Sequence, residues 1–141
     1  MKVLITGSNG LLGQKLLHKL RVDDAITLIA TSKGANRVPE KDGYTYFNLD
    51  ITDEKQVAEL IANKKPDVVI NTAAMTNVDL CEDKKHACDA LNVDAVRYLA
   101  DACEKIDTHL IHISTDFIFD GEDGPYTEED EPNPLSYYGL S

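Results

Sequence analysis

Short apolar runs alternate with longer amphipathic segments along this chain, and that alternation is how repeated β-α-β units look in sequence. Val3-Leu4-Ile5 opens the series. Leu11 to Leu20 follows, with Leu12, Leu16, Leu17 and Leu20 at helical spacing, and Ile26 to Ala30 is a second apolar run of strand length. Tyr44 to Phe47 makes a third, weaker strand. Thr52 or Asp53 can cap a helix that shows Val57, Leu60 and Ile61 on one face, with Pro66 marking the turn out of it. Asp67-Val68-Val69-Ile70 is the fourth strand. The stripe Cys88, Leu91, Ala95, Leu99 and Ala102 then predicts one long helix from about Lys84 to Lys105, and His109 to Ile113 is the fifth strand. Asp120 to Pro134 holds seven acidic residues, two glycines and three prolines, so it reads as an exposed loop.

Strands that are apolar along most of their length, each followed by a helix, argue for an α/β fold whose parallel sheet is covered on both faces. The expected strand order is 3-2-1-4-5, a Rossmann-type doubly wound sheet, with 1-141 forming a single domain. Right-handed crossovers would place every strand's C-terminal end on one edge, where ligands bind in such sheets.

The segment after the first strand carries the strongest chemical signal. Thr6-Gly7-Ser8-Asn9-Gly10-Leu11-Leu12-Gly13 is a strand-to-helix turn with glycine at every third position. Gly7 permits a tight turn, Gly10 lets the backbone approach a pyrophosphate, Gly13 allows close helix packing, and the free N–H groups of the helix start attract the anion. Asn9, Leu11 and Leu12 belong to the same candidate cofactor turn. The other strand ends agree. The second ends at Thr31-Ser32-Lys33, where an NAD-selecting fold would present an acid to the ribose; Lys33 and Arg37 favour NADP(H) instead, with NAD(H) as the alternative. Asp50-Ile51 could bond and pack against an adenine, although capping by Thr52 or Asp53 explains part of that segment. Thr72-Ala73-Ala74 after Asn71 leaves room for sugar and phosphate. Asn92 puts an amide on the apolar face of the long helix, where it must find partners: holding the loop after the fourth strand, ordering a water near the site and a purely structural bond are all open.

Charge and cysteine content narrow the partners. Twenty-five acidic against fourteen basic residues give a net charge of -11, which repels polyanions; neither nucleic acid nor an anionic membrane is an expected partner. The apolar run near Met1 is too short for a signal segment or membrane span, so a cytoplasmic protein with a small-molecule ligand is expected. Cys81, Cys88 and Cys103 lack the spacing of a zinc site, His109 and His112 have no metal-ligand spacing to them, and buried thiols without metal are the expectation.

Taken together, the glycine turn, Asn71 to Ala74, Leu91-Asn92-Val93, Ser114-Thr115-Asp116, Phe119-Asp120-Gly121 and Asn133-Pro134 before Tyr138-Gly139 resemble the extended short-chain dehydrogenase/reductase superfamily. Within it the chain is most similar to the dTDP-4-dehydrorhamnose reductases, enzymes about twice this length, so the resemblance implies an N-terminal half truncated before the last strands and the substrate domain. It further implies NADPH-dependent reduction of the 4-keto group of a dTDP-4-dehydro-6-deoxy sugar. Ser114 would border the cofactor, Thr115 would polarise the carbonyl, Tyr138 would both contact cofactor and deliver the proton, and a lysine is expected directly after Ser141. The chemistry explains these types: hydride arrival leaves charge on an oxygen that needs a hydroxyl donor and an acid. A free phenol has a pKa of about 10, and a nearby ammonium brings it closer to neutral. Tyr137 is excluded by motif, since glycine follows the catalytic tyrosine.

Asp116 reads as a site-edge residue that stabilises its loop, and Met75, Thr76, Val78 and Asp79 would border nicotinamide or sugar. A magnesium-bridged dimer known for some of these reductases is not carried over, because Gln14-Lys15 stands where its glutamate is expected; the oligomeric state stays open. Two other readings share the cofactor turn. One is a sugar-nucleotide epimerase or dehydratase, disfavoured by Lys33, Arg37 and the Asp116-Phe117 pair. The other is a non-catalytic NADP-binding regulatory subunit, such as the homologue that binds methionine adenosyltransferase.

Overall fold

Side chains that alternate between two cores show why the first strand forms and what it divides. In the computed structural model, which describes residues 1–141, β1 (Lys2–Thr6) is buried from Val3 onward. Leu4 packs into one core with Ile29, Val57, Ile61, Val69 and Leu99, while Val3 and Ile5 pack into a second with Leu17, Leu28 and Ala30. Successive side chains point to opposite faces of the pleat, so one strand seeds both layers. α1 (Leu11–Leu20) covers the second core through Leu17.

The sheet is completed by β2 (Thr27–Ser32), β3 (Thr45–Asn48), β4 (Val68–Asn71) and β5 (His109–His112), all parallel, in the order β3-β2-β1-β4-β5. The expected order and parallel sense therefore hold. α2 (Glu54–Lys64) begins at Asp53, whose carboxylate accepts from the Gln56 N–H at 3.0 Å, so Asp53 rather than Thr52 is the cap.

The helix expected from about Lys84 to Lys105 forms, continuous from Lys85 to Glu104, but with a π turn inside it and a separate short helix before it. The chain turns helical earlier, as α3 (Val78–Asp83), because Asn77 caps the Leu80 N–H at 2.8 Å. It breaks at Lys84 (φ -127, ψ 53), resumes as α4 (Lys85–Asp89), passes through a π-helical turn at Ala90–Asp94, and continues as α5 (Ala95–Glu104). A π turn accommodates one extra residue and rotates the side chains before it relative to those after it. Here it lets Asn92 face the loop after β4 while Ala95, Leu99 and Ala102 still reach the core.

Helices and a core lie on both faces of the sheet, as expected, and β5 is its last strand in order. His109, Ile111 and His112 are exposed, since α5 packs on only one face of this edge strand. Beyond it come a short 3₁₀ turn at Asp116–Ile118, the acidic loop, and α6 (Tyr137–Leu140), capped by Ser136. The loop is ordered around Asp120. Its carboxylate accepts from the Glu122 N–H, the Tyr126 hydroxyl and the Asn133 amide, which hold its pKa at about 2. That support is present above the ordinary carboxylate range and is lost only as pH falls through about 2. No helix is long and apolar enough to cross a membrane.

Candidate functional site

The turn between β1 and α1 is built by close backbone approach. Gly7 has φ +67, and a Cβ on it would lie 2.7 Å from the Ala73 nitrogen, so the turn and the β4 exit touch through bare backbone. A side chain on Gly13 would overlap the Gly7 carbonyl and stand 2.7 Å from the Ser8 Cα; its role is packing. Gly10 differs, because a Cβ there would meet only the Gly7 oxygen, at 3.2 Å, and otherwise faces open space. Gly10 is also the residue preceding α1, which has no side-chain cap, and the N–H groups of Leu11, Leu12 and Gly13 donate to nothing in the chain.

Beside this uncapped helix end lies a cleft of about 270 Å³ at the C-terminal edge of the sheet. Gly7, Asn9 and Gly10 supply the turn, Ser32, Lys33 and Arg37 the exit of β2, Asp50 and Ile51 the exit of β3, and Thr72, Ala73 and Ala74 the exit of β4. A second cavity of about 220 Å³ is lined by Asn92, Ser114, Thr115 and Tyr138. Ala74 lines both, so the two meet there. Leu11 instead faces a separate hollow beside α1, Leu12 is half-exposed, and Gly13 is buried under the turn. Leu49 and Leu91 in the first cavity, and His112 and Ile113 in the second, were not among the expected residues. Leu91 already stood in the apolar stripe, and His112 closes the fifth strand, where position alone marks the ligand edge.

Several side chains at the edge act on the protein rather than outward. Asn9 is buried; its amide donates to the Ala35 carbonyl at 2.9 Å and its oxygen accepts from the Arg37 N–H at 2.8 Å, clamping the loop after β2 to the glycine turn. Replacing Asn9 with alanine strands both backbone groups, and we expect a loss of about 1–3 kcal/mol. Thermal unfolding checks the magnitude, and faster amide exchange at Arg37 checks the location. Lys33 lies 2.6 Å from the Asp50 carboxylate. Partial burial pushes the Asp50 pKa up, but Lys33 and the Thr52 hydroxyl and N–H outweigh it and hold the carboxyl below its usual range. Arg37 forms no ion pair.

Asn92 is likewise spent on positioning. Its oxygen accepts from the Met75 N–H at 2.8 Å, and its nitrogen donates to the Met75 carbonyl at 3.1 Å and the Ser141 hydroxyl at 3.1 Å. It fixes the segment that leaves β4. Thr115 caps the 3₁₀ turn by accepting from the Phe117 N–H at 3.2 Å, and its own hydroxyl points toward Asp116 at 3.4 Å. Tyr138 lies edge-on to Phe117, ring centroids 5.5 Å apart, and faces the second cavity. Tyr137 turns the other way: its hydroxyl donates to both Asp89 oxygens at 2.7 and 2.8 Å, and that carboxylate raises its pKa.

Cys81, Cys88 and Cys103 are free and buried, and burial pushes the Cys81 and Cys103 thiols up to about 11. No three His, Cys, Asp or Glu side chains converge to hold a metal.

A parallel 3-2-1-4-5 sheet, a glycine turn before an uncapped helix, and a Thr–Tyr pair beyond the fifth strand define a Rossmann domain of the short-chain dehydrogenase/reductase type. More particularly, the chain belongs to the family described as the RmlD substrate binding domain, whose model matches residues 1–141. It is 39% identical over 141 residues to a dTDP-4-dehydrorhamnose reductase of Aggregatibacter actinomycetemcomitans, covering 99% of this chain and 44% of that one. It is 36% identical to methionine adenosyltransferase 2 subunit beta of Bos taurus, covering 99% and 40%. A hypothetical dTDP-4-dehydrorhamnose reductase from Sulfolobus tokodaii superposes with TM-score 0.88 at 44% identity, covering 99% and 48%. The dTDP-4-dehydrorhamnose reductase from Bacillus anthracis str. Ames, in complex with NADP, gives TM-score 0.78 at 32% identity, covering 99% and 45%. The chain thus spans about half the length, or less, of the proteins it matches.

Proposed function

We propose that residues 1–141 are the NADP(H)-binding domain of a reductase acting on the 4-keto group of a dTDP-4-dehydro-6-deoxy sugar. The observation that carries this reading is the shared wall at Ala74. It makes one continuous edge from the glycine turn, where a pyrophosphate fits, to Thr115 and Tyr138, where a carbonyl fits. The NADP complex of the Bacillus anthracis reductase supports the choice of cofactor.

The residues present suit a dinucleotide. The unpaired N–H groups at the start of α1 and the missing side chain of Gly10 make an anion cradle against the helix dipole. Arg37 stands free at the β2 exit to meet a 2′-phosphate, whereas Lys33 already neutralises Asp50 and so removes a carboxylate that would repel one. We expect Arg37→Ala to weaken NADPH binding about tenfold or more with NADH binding unchanged, and Lys33→Ala to act less. Calorimetric titration with both cofactors checks this. A larger effect of Lys33→Ala would reverse the assignment.

When bound, the nicotinamide supplies hydride. Thr115 can swing its hydroxyl hydrogen from Asp116 to the substrate carbonyl while still accepting from Phe117, which aligns the oxygen and stabilises the charge that forms on it. Tyr138, with its ring held against Phe117, delivers the proton. The product is the 4-hydroxy sugar.

NADPH oxidation by the full-length protein on addition of dTDP-4-dehydro-6-deoxy sugar tests the proposal. Tight NADPH binding without turnover would instead favour a regulatory subunit, a reading supported by the similarity to methionine adenosyltransferase 2 subunit beta. Pull-down with a methionine adenosyltransferase would then separate the two.

A further inference from the structure

We propose that His112 is a further residue of the reaction cavity: a neutral imidazole, held in one tautomer by Asn71, that offers an N–H donor to a sugar oxygen beside the carbonyl. This rests on the reading that the cavity of Thr115 and Tyr138 takes a keto sugar.

The tautomer follows from the partners of Asn71, a buried amide at the end of β4. Its oxygen accepts from the Thr6 hydroxyl at 2.5 Å and from the Ala73 N–H at 3.2 Å. Those two donors orient the amide, because flipping it would set its nitrogen against the Ala73 N–H, donor against donor. The amide nitrogen must therefore face β5, where it lies 3.0 Å from His112 Nδ1. An amide nitrogen only donates, so Nδ1 accepts and carries no hydrogen. The hydrogen belongs to Nε2.

Protonation of the ring would set a second donor against Asn71. Partial desolvation disfavours the cation as well and moves the His112 pKa below its ordinary value. The imidazole is consequently a neutral donor at neutral pH. Its ring lines the same cavity as Ser114, Thr115 and Tyr138. With Nδ1 turned to Asn71, the opposite ring edge is the one left for a ligand. Thr115 and Tyr138 address the carbonyl oxygen; a fixed donor two residues before Ser114 can take a neighbouring hydroxyl or ring oxygen. Asn71 is then a positioning residue, acting through His112.

The full-length protein tests this with His112→Phe, which keeps a ring and removes the donor, and His112→Gln, which restores a donor on an uncharged side chain. We expect His112→Phe to raise KM for the dTDP-keto sugar about tenfold with little change in kcat and unchanged NADPH affinity, and His112→Gln to recover most of it. Nitrogen NMR of the wild-type ring should show the Nε2–H tautomer, shifted on adding the keto sugar; Asn71→Leu should release it. An Nδ1–H tautomer, an unchanged sugar KM in His112→Phe, or a matched loss of NADPH affinity and thermal stability would each overturn the inference. If the wild-type protein takes no keto sugar at all, the proposed function fails and this inference with it; if it does and His112→Phe is normal, only this inference fails.

Discussion

Replacing Gly10 with valine is expected to weaken NADPH binding at least ~100-fold, about 2.7 kcal/mol, while the chain still folds. The backbone at Gly10 is extended (φ -79, ψ 169), a conformation that suits a β-branched residue, and the new Cβ would meet only the Gly7 oxygen at 3.2 Å. A small shift of that carbonyl and the loss of a tolerated N-terminal glycine cost about 1 kcal/mol. The rest of the side chain projects into the cleft, across the N–H groups a pyrophosphate would use. Gly13→Val is the control with the opposite profile. Its Cβ overlaps the Gly7 carbonyl and crowds the Ser8 Cα, both backbone, so we expect a stability loss of roughly 3 kcal/mol or more. Thermal unfolding and calorimetric titration of both variants separate the roles. If Gly10→Val binds NADPH normally, the turn is structural only.

These two glycines show what a sequence can and cannot disclose. Their spacing after an apolar run and before an amphipathic helix is local information, and α1 forms over the expected Leu11–Leu20. Strand order was legible for the same reason, since apolar runs joined by helices admit few arrangements. What was hidden depends on side chains meeting across long separations. Nothing local marks Lys33 as the partner of Asp50, or Asn9 as the clamp on Ala35 and Arg37. The π turn inside the long helix was hidden for a different reason. The apolar stripe from Cys88 to Ala102 marks the helix that forms, but it shows neither the short helix that Asn77 caps ahead of it nor the extra residue that the π turn at Ala90–Asp94 absorbs. Tertiary demand, the need for Asn92 to hold both backbone groups of Met75, overrides the periodic pattern there. Cavity residues were legible where strand ends define the edge, as at Ser32, Thr72 and Ser114. His112 carries no local signal of this kind, because its pairing with Asn71 exists only once β4 and β5 lie side by side.

The adjacent tyrosines give the second large effect. Tyr138→Phe in the full-length protein is expected to lower the rate of keto-sugar reduction about 10²–10⁴-fold while NADPH affinity stays within a few-fold, because in the proposed function the phenol, which faces the cavity, would be the proton donor. Only the hydroxyl is removed; the edge-on contact of the ring with Phe117 survives, so the fold should be unaffected. Tyr137→Phe should do the reverse. Its hydroxyl donates to both Asp89 oxygens and its N–H to Glu82 at 2.6 Å, ties between α6 and the helices after β4 that do not enter the cavity. Losing the hydroxyl leaves Asp89 able to turn to water, so turnover should fall only a few-fold. Raising the pH should weaken the same tie in the wild type. The Tyr137 pKa is raised in the folded protein, so the contact is fully present below the ordinary phenol range and is lost as pH climbs through the raised value. Steady-state rates for both variants, with NADPH affinity measured in parallel, check the division. Equal losses in the two would mean that α6 matters as a unit and that Tyr138 holds no special place in the chemistry.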